Sequence, residues 1–116
     1  MAAQKAQIPA QKVKKYIFNV INSDKPGTGI DKLDFVLLLE NAINKRLLVG
    51  KVRITALSRF IDEDGRYVAY GYAEVGGKLK PMEVKVFPAI GRVAVHIGVM
   101  WVNFDVDEII PKGEVE

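Results

Sequence analysis

The chain has 116 residues, 49% of them apolar, which is the size of one domain with enough apolar side chains for its own core. It has no cysteine, which excludes disulfides and cysteine-ligated zinc or iron–sulfur centres and fits a reducing, cytoplasmic setting. The net charge of +3 hides a gradient: eleven Lys/Arg against four acids in residues 1–59, five of each in 60–104, and one Lys against five acids in 105–116. That asymmetry points to a polyanion-facing body with an acidic tail, or simply to a soluble surface.

Residues 1–11 read as a mobile basic tail without the apolar centre of a signal peptide, and no run approaches the roughly 20 apolar residues of a membrane span. Val13, Tyr16, Ile17, Val20 and Ile21 then recur at helical spacing, one apolar stripe over about three turns. Pro26, Gly27 and Gly29 break it. The segment "KPGTGID" places glycines before a helix start, where anions can bind. It lacks the Lys-Ser/Thr pair of a P-loop and follows a helix, so it reads as a capped loop. A second helix is expected from Asp31 to Leu48, with Thr28 as N-cap and Gly50 as stop. Its middle, "FVLLL", is apolar all round, so it needs cover on more than one face. A winged helix is the competing reading, but it would require this helix to split near Glu40 and only two strands to follow.

From Lys51 the period changes to two, and β-branched and aromatic residues dominate. The acids of "FIDEDGRYVAYG" do not form a calcium loop, because its first and last ligand positions would fall on Phe60 and Gly71. Asp64-Gly65 is instead a type I′ hairpin signal. That turn pairs Glu63 with Arg66, Ile61 with Val68, Arg59 with Tyr70, and Leu57 with Tyr72. Gly76-Gly77 sets Val75 against Lys78, Tyr70 against Glu83, Val68 against Lys85 and Arg66 against Phe87. A four-residue "PAIG" loop sets Phe87 against Arg92, Lys85 against Ala94 and Glu83 against His96.

All three turns agree about faces. Val52, Ile54, Ala56, Phe60, Tyr67, Ala69, Gly71, Ala73, Val75, Met82, Val84, Val86, Val93, Val95 and Ile97 share an apolar face, with Ser58 on the same side. Pro81, opposite Tyr72, predicts a bulge or an unpaired side. The last strand, Gly91 to Phe104, is long and apolar on both faces through "VMWVNF", which predicts a homodimer. The expected fold is therefore α+β: two N-terminal helices packed on one face of a four-stranded antiparallel meander, all in one domain, 1–116.

The opposite face interleaves Arg53, Arg59, Arg66, Lys85 and Arg92 with Tyr70, Tyr72 and Phe87. Rings stack bases and cations neutralise phosphates, so these eight residues are the candidate site for single-stranded DNA or RNA. The same face could be a homo-oligomer interface of a structural protein, or an ordinary solvated surface. The register also aligns Arg59, Tyr70, Glu83 and His96, a row that could do acid–base work. No nucleophile stands beside it, and no enzyme, small-molecule substrate, metal or cofactor is predicted. Residues 105–116 form an acidic tail that could compete with phosphates for the basic body, although Ile109 and Ile110 predict docking of its first half.

Overall fold

Apolar spacing places the first helix correctly, with Val13, Tyr16, Ile17 and Ile21 all buried. In the computed structural model, which describes residues 9–22, 30–47 and 51–110, helix α1 spans Ala10–Tyr16 and continues as a π-helical turn, Ile17–Ile21. That wider turn ends on the 2.9 Å bond from the Asn22 N–H to the Ile17 carbonyl and leaves Asn22 buried. Helix α2 spans Ile30–Arg46 and buries Phe35, Leu39 and Ile43, one residue per turn. Leu37 stays exposed, so "FVLLL" is not covered on every side. Thr28, Gly50 and most of "KPGTGID" lie outside the described residues. Among those described, no helix is long and apolar enough to cross a membrane.

The sheet is antiparallel, as the alternation predicts, but has six strands rather than four: β1 (Val52–Leu57), β2 (Ile61–Glu63), β3 (Arg66–Val75), β4 (Lys78–Phe87), β5 (Arg92–Ile97) and β6 (Met100–Asp105). Its order is β1-β3-β4-β5-β6, with β2 beside β1 along the same edge of β3. Positive φ at Asp64 and Gly65 (54° and 84°) and at Gly76 and Gly77 (59° and 82°) makes both two-residue turns type I′. The registers of β3 with β4 and of β4 with β5 follow from those turns and the "PAIG" loop. Pro81 causes no bulge. Its carbonyl accepts from the Gly98 N–H, so its backbone faces β5 and the missing N–H takes nothing from the unbroken ladder with β3.

The expected first strand is broken. Glu63 pairs with Arg66 and Ile61 with Val68, but Leu57 then pairs with Gly71 and Val52 with Val75. One slip occurs across residues 58–60 and a second at a bulge between Ile54 and Ala56. Two slips restore parity, so Val52 and Ile54 remain on the core face. Between them the sides exchange: Leu57 packs on the core, while Ala56 and Ser58 are exposed. Asn22 explains the break. Its side-chain amide donates to the Phe60 carbonyl (2.9 Å) and accepts from the Phe60 N–H (2.8 Å). Phe60 thereby leaves the ladder with its backbone satisfied, and its ring meets Phe35 edge-on at 5.8 Å. Gly71 permits the closest approach, since a Cβ there would collide with the Ala56 carbonyl.

Helix side chains complete the cover of this edge. Asn44 bonds both the N–H (2.6 Å) and the carbonyl (2.9 Å) of Val52, and Glu40 accepts from the Ile54 N–H (2.8 Å). With Asn22 on Phe60, they occupy backbone positions that a further strand would need.

The expected long last strand is a hairpin. Gly98 has φ of 60° in a two-residue Gly98-Val99 turn, the pattern of type II′, with Gly first. Folding back puts Val102 and Phe104 in the core and packs Met100 against it. The apolar run is thus satisfied within the chain, which removes the argument for a partner drawn from its length. Helix α3 (Val106–Ile109) follows, with Val106, Ile109 and Ile110 buried. Arg46 ties α2 to this end: it donates to the Asn103 carbonyl (2.7 Å) and to Glu108 (2.9 Å), and lies 4.9 Å from the Phe104 ring centroid.

Asn22→Ala should lower unfolding free energy in urea by about 2–4 kcal/mol, because two buried backbone groups lose their partners. Gly71→Ala should cost about 1–3 kcal/mol by collision at the bulge. A loss below about 0.5 kcal/mol in both would contradict this account of the break, being the size of an ordinary surface substitution.

Candidate nucleic-acid interface

The face of the sheet away from the helices is built in rows across the strands. One row runs Tyr70, Glu83, His96 and Trp101 on β3, β4, β5 and β6. Its neighbours on one side are Ala56, Tyr72 and Pro81, and on the other Ile61, Val68, Lys85, Ala94 and Asn103. Alternation along each strand places these side chains on one surface, with Tyr70 and Tyr72 about 7 Å apart.

Three rings are open to solvent here: Tyr70 (48%), Tyr72 (51%) and Trp101 (55%). Phe87 is half-buried. The His96 and Trp101 rings stack at 4.0 Å and 5°. The sequence-based site lacks Trp101, because a strand running unbroken through Gly98 does not bring Trp101 beside His96. Read as a II′ turn, Gly98-Val99 would have placed Trp101 opposite His96.

Lys85 pairs with Glu83 at 3.3 Å, both half-buried, and Arg92 with Asp105 at 3.6 Å, both exposed. Each carries a carboxylate that a phosphate would have to displace. Arg53 is exposed next to Tyr72, one row further along β1, with Glu74 as its cross-strand neighbour. Arg59 is exposed but sits in the break. It is not the ladder partner of Tyr70, contrary to the sequence-based register. Ser58 takes that place: the Tyr70 N–H donates to Ser58 Oγ (2.9 Å), and the Ser58 N–H donates to the Tyr70 carbonyl (2.7 Å). Arg66 is half-buried, and its Nε has no acceptor among the described residues.

The acids of the opening motif serve the turn. Asp62 accepts from the Gly65 N–H at 3.3 Å. Glu63 lies close enough to the Tyr70 phenol to act on its titration. The Tyr70 phenol is held above its ordinary value by lost hydration, then by the charges of Glu63 and Glu83, with Arg66 opposing them. Burial, followed by the Asp62 charge, raises Tyr67 in the same way. Among the described residues, no three His, Asp or Glu side chains converge as metal ligands would. Comparison with protein-family models, curated proteins and solved structures found no match.

Replacing Glu63 with Gln should lower the Tyr70 transition in an ultraviolet tyrosinate titration, read against Tyr70→Phe. A raised folded value means that the contribution to stability is complete below about pH 10 and is lost as pH rises through the folded value. An unmoved transition would show that Glu63 does not reach the phenol.

Proposed function

We propose that the protein is a non-enzymatic binding module whose outer sheet face takes single-stranded nucleic acid. The observation that carries this reading is the exposure of Tyr70 and Tyr72 two residues apart on an interior strand, with Trp101 in the same row as Tyr70. Adjacent exposed rings give successive bases a sequence-tolerant surface, and bases are free to stack on such rings only when they are unpaired. Arg53, Arg59 and Arg66 hold phosphates at the β1–β3 side. Lys85, Arg92 and Phe87 extend the surface across β4 and β5, where Glu83 and Asp105 face the two cations. The cysteine-free composition suits work in the cytoplasm.

Fluorescence anisotropy with labelled single-stranded DNA and RNA tests the proposal. Two or three phosphate contacts give a log–log salt slope of about −1.4 to −2.1. Tyr70→Ala combined with Tyr72→Ala should weaken binding by about 2–6 kcal/mol, at roughly 1–3 per stacked base. Flat titrations at micromolar protein, or binding indifferent to salt, would overturn the reading. Loss of an oligomer in the same double variant would assign the rings to a subunit interface in a structural protein.

A further inference from the structure

The two edges of the sheet are finished differently. Asn22, Glu40 and Asn44 occupy the outward backbone groups of the β1 side. On β6, the two-residue turn makes Ile97 and Met100 the closing hydrogen-bonded pair. Alternation then turns the N–H and C=O of Trp101 and Asn103 away from β5. Arg46 shows that direction by taking the Asn103 carbonyl, and Glu108 takes the Asp105 N–H at 2.7 Å. The Trp101 N–H and C=O and the Asn103 N–H meet no partner among the described residues. His96 covers one face of the indole, and the other looks out past the sheet edge.

We propose that β6 pairs antiparallel with β6 of a second copy, centred on Trp101, to form a symmetric homodimer. A residue whose N–H and C=O both point outward can pair with its own copy across a two-fold axis, each donating to and accepting from the other. The same register brings the Asn103 N–H opposite Val99 of the second copy, and Val99 is 94% exposed in the single chain. Charge favours this occupant. Gly98 falls opposite Phe104 of the second copy, which turns Lys80, whose side chain lies along Gly98 on the helix-facing side of the sheet, toward Glu108 of that copy. Symmetry repeats the contact at the other end. The pairing stops at Asn103, whose carbonyl Arg46 already holds. The two indoles extend each His96–Trp101 stack, and the two outer faces join into one surface. This inference does not rest on nucleic-acid binding.

Size-exclusion chromatography with light scattering on the full chain, from micromolar to sub-millimolar concentration, should give twice the 12.9 kDa chain mass. Asn103→Pro removes only an outward N–H at a sheet edge, where proline is tolerated, and should give a folded monomer by circular dichroism. Trp101→Lys places a charge on the open edge and should give the same result; it carries the test should the proline variant not fold. Tyr70→Ala with Tyr72→Ala should leave the dimer intact, which separates this inference from the nucleic-acid reading. A wild-type monomer throughout, or a dimer that survives Trp101→Lys, overturns it.

Discussion

The structure turns on a side chain that takes the place of a strand. Asn22, at the end of a π-helical turn, satisfies both the N–H and the carbonyl of Phe60. That pair of bonds lets the chain leave the ladder between β1 and β2 without orphaning a buried backbone group. The Phe60 ring can then enter the core beside Phe35, and the register of β1 shifts against β3. Each later feature of that edge follows. The bulge near Thr55, the need for glycine at position 71, and the decking of Val52 and Ile54 by Asn44 and Glu40 all belong to one arrangement. Helices tied to the sheet in this way cover one face and the β1 edge and, among the described residues, leave the opposite face and the Trp101 stretch of the β6 edge exposed.

The functional reading rests on what that leaves open. A central strand bearing Tyr70 and Tyr72 outward is stable only because its other side chains, Tyr67, Ala69 and Ala73, fill the helix-facing core. Val68, flanked by Ile61 and Lys85 in the ladder, is fully buried on the outer face and gives the rings a packed floor. Cations and carboxylates are nearly balanced across this face, with Glu63, Glu74, Glu83 and Asp105 among the five candidate cations. On the proposed reading, stacking is therefore the main attraction for a nucleic acid and charge the smaller one. A surface of this type tolerates many base sequences, because every base has a π-face.

Much of this fold was legible because the turns carry local chemistry. Asp64-Gly65 and Gly76-Gly77 demand positive φ at both positions, and together with the "PAIG" loop they set three pairings among four strands, β2 to β5, to the residue. The core face followed from that register, apart from Ala56 and its neighbours. The break at residues 58–60 was not legible, because its cause is Asn22, distant in sequence, and a buried asparagine carries no local mark of its partner. Extrapolating one register through that break placed Arg59 beside Tyr70, where Ser58 stands. The split of the last strand was legible in principle from Gly98-Val99. The β-branched, apolar run around it masked the signal, and with it the place of Trp101 in the His96 row.

The exposed lysines of α1, Lys14 and Lys15, offer the competing basic surface, on the opposite side of the molecule from Tyr70 and Tyr72. Mapping backbone amide shifts by NMR during titration with a single-stranded oligonucleotide decides between the two. The account predicts the largest shifts on β1 and β3, at Arg53, Arg59, Tyr70 and Tyr72, with α1 unmoved. Shifts centred on Lys14 and Lys15, with Tyr70 and Tyr72 silent, would contradict it.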